Sequence, residues 1–250
     1  FEDYKAPTTP GYESGYLQNN NFRNRMYNFE LLALYNNSWG DFDFNATLGG
    51  NLYKVNNQTI VTTAKDMKIR DVVALMSFNE VSVEPYSYRK QINSVYGAVN
   101  LGWKHMLYFD ATLRGDQSST LPISNNMYIY PSFSGSFVFS ELLKLGDKLP
   151  YGKVRMSWAQ VGSDTDPYQL GLVYTKSKFA YPGYTIGYIS NGTIPNKDLK
   201  PTKTNSFEMG LELKFLKNRI GLDFTYYSQL SKNQIMGMAS SSTSGYGYRL

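Results

Sequence analysis

Apolar and polar residues alternate at every second position in segment after segment of this chain. That period restricts the fold more than any other feature. In GDFDFNATLGGNLY, Gly40 to Tyr53, one side of an extended chain takes Phe42, Phe44, Ala46, Leu48, Gly50 and Leu52. Asp41, Asp43, Asn45, Thr47, Gly49 and Asn51 take the other, because successive side chains of a strand point to opposite faces. The same period runs through Tyr27 to Tyr35, Val95 to Trp103 and Leu107 to Arg114. It returns from Phe133 to Phe139, Val154 to Trp158, Phe207 to Phe215 and Ile220 to Tyr226. Each segment reads as a strand. An ordinary strand has ~5–6 residues, whereas these approach the ~9–11 that cross a bilayer at a tilt.

Two architectures use such strands. A soluble sandwich buries the phenylalanines, whereas a membrane barrel turns them to lipid and the aspartates to a wet interior. In every strand the charges fall on the polar parity: Asp41, Asp43, Asp110, Arg114, Arg155, Glu208, Glu212, Arg219 and Asp223. An Arg or Lys on the lipid side costs about 2–4 kcal/mol at the bilayer midplane, so this segregation suits a barrel. The connections agree. Asn36-Asn37-Ser38, Lys104-His105-Met106 and Lys217-Asn218 read as tight turns. They alternate with long segments at Lys54–Pro85, Gln117–Met127 and Ser163–Lys203, and Glu141–Tyr151 is of middling length. Barrels of the outer membrane have this asymmetry of short turns and long loops. Within the first long segment, Thr63-Ala64-Lys65-Asp66 has capping-box form. Ile69, Val72, Val73 and Met76 follow at helical spacing, which predicts a short loop helix.

Composition narrows the chemistry. The 250 residues include 22 Tyr, 14 Phe and 21 Gly, and 18% are charged, a balance of strands and polar loops rather than of helices. A net charge of +5 raises nucleic acid as a partner. The densest basic group, however, is Lys197, Lys200 and Lys203 beside Asp198 in a loop, and no nucleic-acid-binding motif accompanies it. Cysteine is absent, which removes disulfides and thiolate chemistry. No apolar run approaches the roughly 18 residues of a membrane helix. The opening FEDYKAPTTPGY carries no signal peptide, so the chain reads as cytosolic or as an internal piece of a longer one.

The single histidine, His105, lies in a tight turn, so a catalytic triad or a multi-histidine zinc site is not expected. Asp164-Thr165-Asp166 has alternate carboxylates suited to calcium, yet the glycine and distal glutamate of an EF-hand loop are missing, and an Asp-rich turn is the better reading. No catalytic residue, metal or cofactor is expected. Ser244-Gly245-Tyr246-Gly247 lacks the Gly-Lys-Ser/Thr of a phosphate loop. Tyr53, Tyr86, Tyr88, Tyr128, Tyr130, Tyr226 and Tyr227 fit either an interfacial girdle or plain strand propensity. Tyr168, Tyr174, Tyr181, Tyr184 and Tyr188 fit cargo stacking or loop packing.

Several runs resemble the SusC/RagA-like, TonB-linked outer-membrane transporters. SVYGAVNLGWKHMLYFDATLRGDQSS (Ser94 to Ser119) is similar to that family's Tyr-Gly-x-Val-Asn strand and the Ala-Thr-x-Arg strand after it. YPSFSGSFVFSE (Tyr130 to Glu141), KVRMSWAQVGS (Lys153 to Ser163) and the stretch from Leu199 to Ile235 follow in the family's order. Ala98 stands where an arginine often follows Tyr-Gly, and Ala159 where a glycine precedes the Gln; Gly115 to Ser119 replaces an Asp-Gly-Ser-Ser loop.

The resemblance implies an all-β fold, a partial antiparallel transmembrane β-barrel from a 22-stranded TonB-dependent transporter. All of 1–250 would be one portion of that barrel, with the plug and the TonB-contacting segment absent from this chain. It implies import of oligosaccharides or peptides, a SusD-like surface lipoprotein, and TonB coupling through the missing N-terminal part. The setting would be the lipid of a Gram-negative outer membrane. Candidates for cargo contact in the lumen or loops are Asp110, Arg114, Asp116, Arg155, Asp164, Asp166, Tyr168, Glu212 and Asp223. Lipid-facing candidates are Phe42, Phe44, Leu48, Leu52, Phe109, Leu113, Trp158, Leu211, Leu213, Leu222 and Phe224. A passive porin-like channel, an outer-membrane secretion or adhesion component, and a soluble β-sandwich that binds carbohydrate remain as alternatives.

Overall fold

Long extended segments joined by short connections pair with their sequence neighbours, and this chain does so almost throughout. The computed structural model describes residues 2–70, 72–143, 146, 149–176, 184, 186–189 and 192–249. Its strands are β1 (Glu2–Lys5), β2 (Tyr16–Trp39), β3 (Phe42–Met67), β4 (Phe78–Trp103), β5 (Leu107–Ser118), β6 (Met127–Phe137) and β7 (Tyr151–Ser163). Then come β8 (Tyr174–Lys176), β9 (Gly187–Ile189), β10 (Thr193–Ile194), β11 (Thr202–Phe215), β12 (Ile220–Lys232), β13 (Met238–Ala239) and β14 (Tyr248–Arg249). One sheet holds nine of them in the order β1-β2-β3-β4-β5-β6-β7-β11-β12. The small strands form a β8-β9 pair and a β10-β14-β13 sheet. The large sheet ends at β1 and β12 and does not close on itself.

The registers keep the two parities apart across strands. Asp110 opposes Ser134, Leu113 opposes Pro131, Met209 opposes Met156, and Leu211 opposes Phe224. Tight turns sit where the backbone reaches the left-handed region. Lys104 and His105 have φ of 50° and 53°, the pair of positive values a type I′ hairpin needs, and Met106 N–H donates to Trp103 C=O at 2.9 Å. Leu216, Lys217 and Asn218 make the β11–β12 turn with φ from 51° to 66°.

Three expectations are corrected. Asn36-Asn37-Ser38 is strand, and the chain turns at Gly40 (φ 59°) and Asp41 instead; asparagines there interrupt the apolar pattern without interrupting the pairing. Lys54–Pro85 is mostly strand, because β3 runs to Met67 and β4 starts at Phe78. The helix expected after Thr63 does not form. Thr63 to Asp66 are strand, and the one helical turn described there is the 3₁₀ piece Leu75–Ser77. Thr59, Ile60, Val61, Thr62 and Thr63 are β-branched in succession, and that preference outweighs a capping box. A smaller correction concerns Phe139, read as strand: β6 stops at Phe137 and Phe139 opens a five-residue helix, α1 (Phe139–Leu143).

By contact density the chain divides into two units, Phe1–Asn28 with Tyr53–Gln91, and Phe29–Leu52 with Ile92–Leu250. The first has a small core of Leu17, Ala64 and Phe78, with Tyr4 and Met67 packed on it. The second has Leu121, Tyr128 and Leu199, flanked by Tyr130, Leu170 and Ile235. Most large apolar side chains lie outside both cores. Phe42, Leu48, Leu113, Leu222 and Phe224 are all more than half exposed, which water does not favour over so many residues. The apolar face of the second unit also carries a depression of about 570 Å³ lined by the small residues Ala33, Ala46, Gly97 and Ala111.

Candidate functional site

The polar face of the second unit holds the chemistry. Pleating puts Asn100, Asp110 and Ser134 side by side on β4, β5 and β6. Asn100 donates an amide N–H to the Asp110 carboxylate, Ser134 Oγ donates to its other oxygen at 2.8 Å, and Asn45 Nδ2 reaches Asn100 at 3.1 Å. Donors on both oxygens fix the orientation of this carboxylate.

Further along β5, Arg114 Nε donates to Asp116 at 2.9 Å, Arg114 NH2 donates to Ser94 Oγ at 3.0 Å, and the guanidinium lies 5.4 Å from the Tyr96 ring centre. Tyr130 donates its hydroxyl to Asp116, which is 6% exposed. Tyr96 in turn crosses Gly49 and donates to Glu30 on β2. A Cβ on Gly49 would stand 2.4 Å from the Tyr96 ring, so that crossing requires glycine. Glu30, Ser94 and Tyr96 were not singled out from the sequence, and Tyr130 was read there only as a girdle or strand residue. Only the parity of Glu30 and Tyr96 hinted at them, since their bond joins residues 66 apart.

On β7, Arg155 repeats the device. It lies across Gly210, where a Cβ would come within 2.5 Å of its Nε, and reaches β12. There its guanidinium donates to Asp223 at 3.1 Å and to Thr225 at 2.7 Å, with Glu208 at 3.8 Å. Glu212 pairs instead with Lys214 at 3.6 Å. Asp164 accepts from Ser118 Oγ at 2.6 Å and Thr120 Oγ1 at 3.2 Å, which fastens the start of the long 163–203 loop to the β5–β6 connection. No group of three or more metal-ligating side chains occurs among the described residues.

The candidates thus form three separate clusters rather than one pocket: around Asp110, around Arg114 and Asp116, and around Arg155 and Asp223. Tyr168 stands apart in the long loop, 64% exposed with φ 65°. Tyr174, Tyr184 and Tyr188 are exposed as well, and Tyr181 lies outside the described residues. Tyr128 and Tyr130 do not belong to a girdle: they share the polar parity of β6 with Ser132 and Ser134, and Tyr128 is buried under Leu121 and Leu199. Of the apolar-parity candidates, Phe42, Leu48, Leu52, Phe109, Leu113, Leu222 and Phe224 are exposed. Phe44, Trp158, Leu211 and Leu213 are half-buried. Phe44 is covered by its face neighbours Tyr35 and Trp39, with ring centres 6.0 and 5.9 Å away, and Trp158 stacks on Phe133 at 6.1 Å.

Comparison with known proteins agrees with this architecture. The family profile described as TonB dependent receptor-like, beta-barrel matches residues 2–249. TonB-dependent receptor P3 of Formosa agariphila is 26% identical over 210 residues, covering 80% of this chain and 20% of that protein. TonB-dependent receptor SusC of Bacteroides thetaiotaomicron is 30% identical over 147 residues, 55% of this chain and 15% of SusC. The chain therefore spans about a fifth or less of these curated relatives. Among solved structures, the RagAB peptide transporter superposes with a TM-score of 0.88 at 21% identity, over 99% of this chain and 28% of that one. The RagAB importer in its open-open state gives 0.83 over the same shares. The chain belongs to the TonB-dependent receptor family, as a section of its β-barrel, and its likeness runs to the SusC/RagA-type members.

Proposed function

We propose that this chain is the wall of an outer-membrane importer rather than an enzyme, and that its 250 residues form one portion of a single barrel domain. The family match over residues 2–249 is the observation that carries this reading. In it the apolar parity (Phe42, Leu48, Leu113, Phe224) faces acyl chains, and the Asp110, Arg114–Asp116 and Arg155–Asp223 clusters line the lumen. Fixed charges of both signs, each already hydrogen-bonded, offer a polar cargo exchangeable contacts without trapping it.

The cargo class is large and polar, oligosaccharide or peptide. RagAB, whose structure the chain resembles, is a peptide transporter, and SusC is a relative in sequence. TonB supplies the energy through parts of the protein outside these residues, and a SusD-like lipoprotein covers the long-loop side. The whole protein in its native membrane tests this. It is expected to stay with membranes in alkaline carbonate, to co-purify with a surface lipoprotein, and to support uptake that stops when TonB is deleted. Release by carbonate contradicts the barrel. Uptake that continues without TonB contradicts active import and makes the protein a passive channel.

A further inference from the structure

The ladder between β6 and β7 covers only part of β6. It pairs Ser132–Phe137 with Val154–Ala159 and stops at Pro131, which has no N–H to give the next rung. Beyond it, Met127 to Pro131 keep β5 on one side and have no strand on the other, while Gln160 to Ser163 of β7 pair only with β11. The register fixes which backbone groups this leaves. Ser118 N–H donates to Asn126 C=O, so the even-numbered residues of β6 exchange hydrogen bonds with β5. The N–H and C=O of Met127 and Ile129, and the C=O of Pro131, therefore point the other way, into the gap. No other backbone group meets them among the described residues. Gly162 of β7 lies against the Tyr128 ring, where a Cβ would come within 2.5 Å, so β7 packs here on the polar face of β6 rather than along its edge. All of these residues belong to the second unit.

The open edge forms one wall of a cleft of about 400 Å³, lined also by Ser124, Asn125, Lys200 and Lys203. No carboxylate lines it, and neither lysine forms an ion pair among the described residues. Lys203 also stands directly opposite Lys232 across β11–β12, a like-charge pairing that a sheet disfavours. Unpaired ladder groups beside uncompensated positive charge select one kind of occupant: an extended backbone that completes the ladder, with carboxylates that meet the lysines. Met127 and Ile129 lie on the parity of Phe133, opposite to that of Asp110 and Arg114. A peptide in contact with the Asp110 and Arg114 clusters therefore does not meet this cleft, and the occupant is a bound partner rather than cargo in transit.

We propose that Met127–Pro131 is a docking edge for an extended acidic segment of a partner protein, which adds to β6 as a strand and sets its carboxylates on Lys200 and Lys203. The site depends neither on the cargo nor on TonB coupling. The test uses the full-length protein folded in detergent, with heat-modifiable migration on gels to check folding. The probes are a fluorescent heptapeptide of alternating Thr and Glu, its Gln counterpart, and the Glu peptide N-methylated along one edge, which keeps the charge and removes the ladder donors. Fluorescence anisotropy is expected to show binding of the Glu peptide and a loss of roughly tenfold or more on N-methylation or on Glu-to-Gln exchange, as loss of ladder or charge-assisted hydrogen bonds implies. Lys200→Gln/Lys203→Gln is expected to weaken the Glu peptide alone. Ile129→Pro removes an N–H that β5 does not use, and is expected to weaken the Glu and Gln peptides together. Equal binding of the N-methylated peptide overturns strand addition and leaves the lysines as a site for any anion. Equal binding of the Gln peptide overturns the acidic partner, and no binding of any peptide overturns the site. Self-association of the protein in light scattering that the Glu peptide reverses gives the edge to a second copy of this chain and overturns the partner.

Discussion

Two glycines decide how the polar face is wired. Gly49 lets Tyr96 lie flat across β3 to Glu30, and Gly210 lets Arg155 lie across β11 to Asp223 and Thr225. A larger residue at either position must push a ring or a guanidinium off its partner. Gly49→Val is therefore expected to destabilise by about 1–3 kcal/mol, the range for overpacking. Much of that loss should disappear in the background Tyr96→Ala, so a double-mutant cycle in urea unfolding measures the coupling. Additive losses would show that Tyr96 does not need the glycine. Asp164 acts at the same scale. Asp164→Ala leaves the Ser118 and Thr120 hydroxyls without their acceptor, at about 1–3 kcal/mol. Hydrogen exchange should accelerate at 118–120 and at the start of the 163–203 loop, and unchanged protection would contradict the tether.

At the scale of elements, the short hairpin at Lys104–Met106, the turn at Lys217–Asn218 and the two-faced strands between them were legible because apolar and polar side chains alternate along them. That contrast ends partway along β3. Beyond Leu52, β3 carries Lys54, Asn56, Gln58, Ile60 and Thr62 on the parity that had been apolar, so the period disappears while the backbone pairing continues to Met67. This is why a 26-residue strand read as a shorter strand and a loop. The small core of Leu17, Ala64 and Phe78 was invisible for another reason, since its members come from three strands far apart in sequence. Phe78→Ala is expected to cost about 3–5 kcal/mol, the usual range for a buried phenylalanine. Limited proteolysis should then cut the 68–77 connection sooner than in wild type; an unchanged cleavage rate would show that this core does not hold the long strands together. The candidate site was legible as a parity and not as contacts. Arg114 and Asp116 announced each other as i, i+2 neighbours, but the Tyr130 hydroxyl on Asp116 and the Ser118 hydroxyl on Asp164 depend on registers the sequence does not display.

For the whole molecule, the proposed barrel turns its apolar parity outward and its charged parity to the lumen, the inverse of a soluble protein, and everything proposed about import depends on that inversion. Leu48→Arg places a cation on the exposed apolar face near mid-height and should cost about 2–4 kcal/mol of barrel stability, whereas a cation at Thr47, on the opposite parity, should be nearly neutral. The most direct measurement uses the absence of cysteine from this chain. Single cysteines placed in turn from 42 to 52 on β3, each spin-labelled in the reconstituted full-length protein, report contact with oxygen dissolved in lipid and with a water-soluble nickel chelate. The account predicts a period of two: oxygen contact at 42, 44, 46, 48, 50 and 52, and nickel contact at the odd positions between them. An inverted pattern, or one with no period, would contradict it.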